Sequence, residues 1–365
     1  MAYVFCTIYS FFLLYMFVGQ YQKNNQLLTI RANKFIFIFP ALYWLLLLGS
    51  QYYVGSDYPT YYTYFEGANL QLYASRHEYA LVFICALIHA LHLPAQSGFF
   101  IYSFVDILFF CLFIFKFNFE RKDLFLLIYF CVATAFINQQ NALRQYAAMN
   151  IFLLAFYYCY KKEFIKYLLF ILLASTFHLS AILLIVIYPL RLLFCRYSKK
   201  ILYIELLFGV IFCFYGLDSV ITWFVKFTPY AFYLTSSYFL EDNRKGIVNI
   251  LTKIIYLLFF VQAIRFSKTY SVKEKFLLSS GVFFYSVKLI SMSSYFLSRF
   301  SMYFDVASYF PLYLYFAHLV KEKRKYEYLH IFELFIFLCV VIGPYLVKTL
   351  FVPSKEYIYQ SIFFK

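Results

Sequence analysis

Long apolar stretches recur along the whole chain, and short polar segments separate them. A stretch of about 20 apolar residues is long enough for a helix to cross the hydrocarbon core of a bilayer. The pattern predicts an all-α polytopic membrane protein with about 12 transmembrane helices, in a single integral-membrane domain over residues 1–365. The predicted helices cover about 2–20, 35–53, 96–115, 124–138, 141–160, 164–177, 179–194, 201–217, 247–265, 276–295, 300–320 and 331–352.

Basic residues concentrate in six of the polar segments, which set the predicted orientation. Short cytoplasmic loops of membrane proteins collect Lys and Arg, so we expect all six runs on the cytoplasmic side. Both ends of the sequence then lie outside, and two outer loops cover about 54–78 and 218–246. We expect Ser75–Glu78 to be accessible from outside. The basic runs lie at 23–34, 116–122, 161–166, 191–200, 265–275 and 321–325.

The segment 79–93 is apolar but short, and Pro94 follows it. If this segment crossed the membrane, every later basic run would move to the outside, against the usual distribution of Lys and Arg. We therefore predict a re-entrant or interfacial helix near 79–93 that returns to the outer side.

Composition supports a membrane protein and argues against a soluble one. Hydrophobic residues make up 64% of the chain and charged residues 13%. The net charge of +15 lies in short loops with no continuous basic face, so we expect no nucleic-acid partner. The eight cysteines lie in or beside apolar stretches, without metal-ligand or redox spacing. We therefore expect no disulfide, no metal site and no cofactor.

Asp57 stands in the first outer loop, between Gly55 and Pro59. Aromatic side chains follow it, among them Tyr61 and Tyr62. Aromatic rings beside a carboxylate suit a sugar, because its C–H face stacks on a ring while its hydroxyls form hydrogen bonds. The alternative is a turn residue that satisfies loop amides, which the neighbouring glycine and proline favour.

Arg144 and Arg299 each lie at the predicted outer start of a helix. An unpaired arginine at this depth is costly, so each needs an anionic partner or a wet cavity. A phosphate partner fits, because a guanidinium binds phosphate through two hydrogen bonds and stays protonated. The alternative is a side chain that extends to the membrane interface.

His178 lies at the tip of a predicted hairpin formed by 164–177 and 179–194. Neutral imidazole can act as a general base at neutral pH, although a lone histidine more often has a structural role. Lys288 lies within a predicted span, where ionisable side chains face the bundle interior and pair. The sequence allows it to pair with either Asp106 or Asp305.

Four short motifs occur in a fixed order along the chain. They are Gly55-Ser56-Asp57-Tyr58, Asn141-x-x-Arg144-Gln145, Phe177-His178-x-Ser180 and Arg299-Phe300-x-x-Tyr303-Phe304. In this order the chain resembles the EpsG-like branch of the Wzy-type O-antigen and exopolysaccharide polymerases, over about residues 40–320.

The resemblance implies an enzyme of the bacterial inner membrane with its active site facing the periplasm. A growing glycan is transferred from undecaprenyl diphosphate to a lipid-linked repeat unit. The implied partners are the lipid-linked oligosaccharide as donor and acceptor, membrane lipid, and a chain-length regulator protein. His178, ahead of Asp57, is the candidate base, and Arg144 and Arg299 are the candidates for diphosphate binding. The candidates for sugar binding are Tyr58, Tyr61, Tyr62, Gln145 and Tyr303.

Three other functions remain open. A lipid-linked oligosaccharide flippase also needs intramembrane charges, but it should show two similar halves, and the sequence has no such repeat. A membrane O-acyltransferase that decorates glycans would use a histidine that faces its acyl donor. A ligase that joins finished glycan to a lipid A core shares the chemistry of the polymerase.

Overall fold

The computed structural model describes residues 2–18, 20–23, 26–29, 38–215, 220, 222–223, 226–227, 231, 247–293, 295–321, 327–351 and 358–364. Helices make up most of these residues, which confirms the all-α prediction. The structure also contains one short antiparallel hairpin that was not predicted. In this hairpin β1, Gln20–Lys23, pairs with β2, Gln26–Thr29.

The helices are numbered α1 to α17 in chain order. They are α1 Ala2–Val18, α2 Ile38–Gly49, α3 Tyr58–Glu66, α4 Gln71–Ser75, α5 Tyr79–Ala90, α6 Gln96–Phe117, α7 Lys122–Leu127, α8 Ala135–Asn138, α9 Leu143–Lys161, α10 Phe164–Phe177, α11 Ile187–Cys195, α12 Lys199–Tyr215, α13 Ile247–Phe266, α14 Val272–Ile290, α15 Tyr295–Ser301, α16 Phe310–Lys321 and α17 Glu327–Phe351. The chain folds as two compact units: unit 1 comprises Met1–Tyr188 with Glu322–Lys365, and unit 2 comprises Pro189–Lys321. The single membrane domain expected over 1–365 stays a prediction.

Helix α9 forms the centre of unit 1, and α6 and α10 pack against it. Residues 145–156 of this helix are all buried, which is typical of a helix that is enclosed by others. Within this core, Asn150 Nδ2 donates a hydrogen bond to Asp106 Oδ1 of α6 at 2.9 Å. The buried Asp106 carboxyl therefore has an amide partner, as a polar group inside the fold requires.

The hairpin predicted over 164–194 is present up to Tyr188, where the first stretch of unit 1 ends. Helix α10 ends directly before His178, which is extended (φ −150°, ψ 116°), and a 3₁₀ helix, Leu179–Val186, follows. The Tyr167 hydroxyl joins the two arms by donating a hydrogen bond to the Leu184 carbonyl. The chain therefore reverses at His178, as predicted.

In unit 2, helix α12 packs against α14, and α13 and α14 form a helical hairpin. A capping box opens α14: Ser271 Oγ accepts from the Glu274 N–H, and the Glu274 carboxylate accepts from the Ser271 N–H. Near the other end of α14, Lys288 Nζ donates to Asp305 Oδ1 at 2.6 Å. Of the two carboxylates that the sequence allowed, Asp305 is therefore the partner of Lys288.

Two predicted spans, 124–138 and 300–320, are wrong as continuous helices. The first consists of α7, a π-helical turn over Ile128–Val132, and α8. The second contains 3₁₀ turns over Met302–Phe304 and Ala307–Tyr309 before α16 begins. Irregular backbone at membrane depth is tolerated where protein surrounds it. Both breaks in the helices are largely buried. Their residues are mostly apolar, so the hydropathy of the sequence gives no sign that the helix is interrupted there.

Three helices in the described part of the chain are long and apolar enough to cross a membrane: Gln96–Phe117, Val272–Ser293 and Ile331–Phe351. The expected number of about 12 spans is therefore not confirmed. Helix α5, Tyr79–Ala90, has 12 residues. At 1.5 Å per residue it is about 18 Å long, which is shorter than the roughly 30 Å hydrocarbon core. The re-entrant or interfacial helix near 79–93 stays a prediction that this length favours.

The first predicted outer loop, 54–78, is not irregular but contains α3 and α4. Pro59 lies in the first turn of α3, where its fixed φ angle and missing N–H cost nothing. Gly67 ends the helix with φ 116°, a left-handed conformation that glycine adopts without strain. The second predicted outer loop, 218–246, lies almost entirely outside the described residues.

Candidate functional site

Glu78 lies at the centre of a polar cluster in unit 1. It directly precedes α5, and only 2% of its surface is exposed. Its Oε1 lies 2.7 Å from His178 Nδ1 and accepts a hydrogen bond from the Leu179 backbone N–H at 3.1 Å. Its Oε2 forms an ion pair with Arg144 Nη1. These partners offset the cost of burying the carboxylate.

Arg144 is the second residue of α9, and two neighbouring helices hold its side chain. Its Nε donates to the Tyr61 hydroxyl of α3 at 3.1 Å. Its guanidinium carbon lies 4.5 Å from the centre of the Tyr73 ring of α4, which is a cation–π contact. The expectation that Arg144 has an anionic partner is confirmed, and that partner is Glu78.

The contact with Glu78 decides which nitrogen of His178 can accept a proton. When the imidazole is neutral, the proton on Nδ1 points to the carboxylate, and Nε2 carries the lone pair. A carboxylate in this position also orients the ring and stabilises the imidazolium that forms when Nε2 takes up a proton. The pair therefore has the geometry of an oriented general base.

The charge of Glu78 depends on its contacts with His178 and Arg144. Burial would raise the pKa of the Glu78 carboxyl, but the hydrogen bond with His178 and the positive charge of Arg144 outweigh burial and hold that pKa below its ordinary value. Glu78 therefore stays ionised at neutral pH, and its charge acts on both neighbours.

Asn141 joins the Asp57 loop to the start of α9. Its Oδ1 accepts hydrogen bonds from the backbone N–H groups of Ser56 at 2.8 Å and Asp57 at 3.0 Å. Gly55 has φ 77°, and a Cβ at this residue would lie 2.6 Å from Asn141 Oδ1, so the loop requires glycine here. These two loop amides bind Asn141, and the role of the Asp57 carboxylate stays a prediction.

One helix start thus organises the cluster: Asn141 holds the Asp57 loop, and Arg144, three residues later, holds Glu78 beside His178. The family model described as EpsG family matches residues 33–361, which include the whole cluster. The chain belongs to the EpsG family. The resemblance to EpsG-like polymerases is therefore confirmed. Searches of curated proteins and of solved structures found no match.

Three tyrosines of this EpsG-family chain that we predicted to bind sugar lie on α3. Tyr58 is buried, stacks on Phe99 with ring centroids 4.6 Å apart, and donates to Gln96 Oε1 at 3.0 Å. Tyr61 is also buried. Tyr62 is partly exposed and stacks on Tyr58 at 5.8 Å. Of the three, Tyr62 therefore has the ring surface that a sugar can reach most readily.

The other predicted site residues of this EpsG-family chain are distributed over both units. Gln145 is buried on α9 in unit 1. Arg299 and Tyr303 belong to unit 2, where Arg299 is exposed on α15 and Tyr303 is fully buried. The structure joins His178 and Arg144 through one carboxylate, whereas the site assignments of the other three stay predictions.

Sequence analysis missed the residue at the centre of the cluster. Glu78 was expected to be accessible in an outer loop, and that expectation is wrong because the residue is buried. Its position directly before an apolar helix was the only signal. Tyr102 of α6 was also missed: it is fully buried, its ring lies 6.5 Å from Tyr61 and 5.9 Å from Phe177, and its hydroxyl has no hydrogen-bond partner within the described ranges.

Proposed function

We propose that this chain is a polysaccharide polymerase of the bacterial inner membrane. It transfers a growing glycan from undecaprenyl diphosphate to the terminal hydroxyl of a lipid-linked repeat unit at the periplasmic face. Membership of the EpsG family supports polymerisation of an exopolysaccharide or O-antigen. The observation that carries the chemistry is the contact between Glu78 and His178.

In the proposed reaction, His178 Nε2 takes the proton of the acceptor hydroxyl. The acceptor oxygen forms a bond to the anomeric carbon of the donor glycan, while the bond from that carbon to the lipid diphosphate breaks. The diphosphate leaves with the bonding electron pair, and His178 then releases its proton to solvent or to the leaving group. Glu78 stabilises the imidazolium in this interval, because its carboxylate lies 2.7 Å from Nδ1.

Positive charge near the diphosphate would stabilise the negative charge that builds on it as the bond breaks. We assign this role to Arg144 and Arg299. Arg144 already uses Nε and Nη1 for protein groups, so its Nη2 edge is the part that would meet a phosphate oxygen. Tyr62 would contact sugar, and Asp57 is the second candidate for the base.

The proposal includes about 12 spans and an outward-facing cluster around Glu78. Helix α9 begins beside Arg144 and ends at Lys161, and α10 begins near Lys166 and ends beside His178. The cluster thus lies at the helix ends opposite a basic run, and such runs collect in the cytoplasm. This argument supports a periplasmic site for the reaction.

A cysteine introduced at Ser75 should react with a membrane-impermeant thiol reagent in intact cells, whereas one at Lys162 should not. Both residues are exposed in the fold, so a difference in labelling reports the side of the membrane. The background variant should lack the two exposed native cysteines, Cys195 and Cys339. Labelling of Lys162 alone would place the Glu78 cluster in the cytoplasm and reject the proposed orientation.

Deletion of the gene tests the proposed function as a whole. We expect the polysaccharide ladder on a gel to disappear while a single repeat unit remains on its final acceptor. Complete loss of surface glycan would indicate a flippase, and a ladder left on the lipid carrier would indicate a ligase. An unchanged ladder would indicate an enzyme that decorates the glycan.

A further inference from the structure

A second group of charged side chains converges on one buried tyrosine of unit 2, and the proposed reaction uses none of them. Lys253 Nζ on α13 donates to the Tyr309 hydroxyl at 3.0 Å. Lys288 Nζ on α14 lies 5.1 Å from the centre of the same ring and donates to Asp305 Oδ1 at 2.6 Å. Tyr309 is 1% exposed. We call these four residues the lysine cluster.

The lysine cluster carries more positive than negative charge. Lys288 and Asp305 form an ion pair, whereas Lys253 forms no ion pair with any residue that the structure describes. Its ammonium contacts the hydroxyl of Tyr309 and lies 5.9 Å from the centre of the Tyr256 ring. An ionisable side chain within a membrane-spanning helix ordinarily pairs with an opposite charge or lines a wet cavity. Among these four residues, two ammonium groups therefore share one carboxylate.

The lysine cluster lies at the end of the α13–α14 hairpin that is opposite its basic turn. Lys253 precedes Arg265 on α13 by a length of helix that spans about 18 Å. Lys288 follows Lys273 on α14 by a length that spans about 22 Å. The basic turn should lie in the cytoplasm, so the lysine cluster should lie towards the outer leaflet. Lys253 is partly exposed.

We propose that the lysine cluster binds the phosphate group of a membrane lipid. The Lys253 ammonium donates to a phosphate oxygen, the Tyr309 hydroxyl orients the ammonium, and the pair of Lys288 and Asp305 holds Tyr309 in place. Phosphate esters are the usual anions at this depth of a bilayer, and lysine binds them as a point charge. The phosphate belongs to a phospholipid headgroup or to a polyprenyl diphosphate, and only the second source rests on the proposed polymerase function.

Binding of two lipids to the purified full-length protein tests this site. The probes are phosphatidylglycerol and undecaprenyl diphosphate, each added to nanodiscs of zwitterionic lipid that contain the protein. Lys253→Gln should weaken binding of at least one probe by roughly 10-fold or more, the usual loss when a hydrogen bond to a charged group is removed. The lipid whose affinity falls identifies the source of the phosphate.

Lys268→Gln is the matched control, because it removes the same charge from the basic turn at the other end of the hairpin. Its affinity for both probes should stay within about 2-fold of wild type. Equal losses in both variants would show that binding follows total charge, and would overturn the site. Tyr309→Phe keeps the ring and removes the hydroxyl that orients the ammonium, so unchanged affinity in that variant would also overturn it.

The polymerase assignment and this site can fail separately. If Lys253→Gln binds both probes as well as wild type while wild type polymerises repeat units, only the phosphate site is rejected. If wild type binds a probe through Lys253 but never polymerises repeat units, the site stands and the polymerase function is rejected.

Discussion

Replacing His178 with alanine should lower the rate of glycan transfer by about 10²- to 10⁴-fold, the usual contribution of a positioned general base. Alanine leaves no group beside Glu78 to take the proton of the acceptor hydroxyl, and the contact of 2.7 Å that orients the imidazole is lost. Binding of the lipid-linked donor should persist, because the proposed diphosphate ligands are arginines. Purified full-length protein with lipid-linked repeat units, sampled for chain length over time, measures the rate.

Asp57→Asn is the comparison that separates the two candidate bases. Asparagine keeps the size of the side chain and the backbone N–H that donates to Asn141, but it cannot take a proton. If His178 is the base, this variant should retain most of its turnover or lose affinity for the acceptor. If His178→Ala polymerises at nearly the wild-type rate while Asp57→Asn binds acceptor without turnover, then Asp57 is the base.

The sequence predicted those parts of the cluster that depend on local pattern. His178 was placed at a chain reversal because two short apolar segments flank it, and the structure has the reversal at that residue. Arg144 was expected to need an anion because charge at a helix start within an apolar chain is costly. Both conclusions follow from local stretches of the chain, which are 164–194 for His178 and the start of one helix for Arg144.

The identity of the anion could not be predicted in this way. Glu78 lies 66 residues before Arg144 and 100 residues before His178. Hydropathy and spacing along the chain carry no information about contacts over such separations, and an acid in a predicted loop is ordinarily solvated. The partner of Lys288 was open for the same reason, since the sequence offered two carboxylates and packing selected Asp305.

Glu78→Gln should lower kcat by about 10²-fold or more and move the acid limb of the rate–pH profile to lower pH. The carboxylate favours the imidazolium form of His178, whereas the glutamine amide is neutral. The imidazole of the variant therefore takes up its inactivating proton only at lower pH. The lowered pKa of the Glu78 carboxyl keeps Glu78 ionised through the neutral range. The acid limb of the wild-type rate–pH profile therefore does not report protonation of Glu78. Rates measured from about pH 5 to pH 8 would show the shift around the ordinary titration range of imidazole.

Arg144→Met in the same background separates the loss of stability in Glu78→Gln from the loss of turnover. Glu78→Gln alone leaves the Arg144 guanidinium without its carboxylate, and breaking a buried pair typically costs about 3–5 kcal/mol. The amount of protein in the membrane should therefore fall in the single variant and recover in the double variant, which removes the unpaired charge. Turnover per molecule should stay low in both, because neither restores a carboxylate at His178 and the double variant also lacks a proposed diphosphate ligand. Wild-type turnover per molecule in the Glu78→Gln single variant, despite its lower protein level, would show that Glu78 only stabilises the fold.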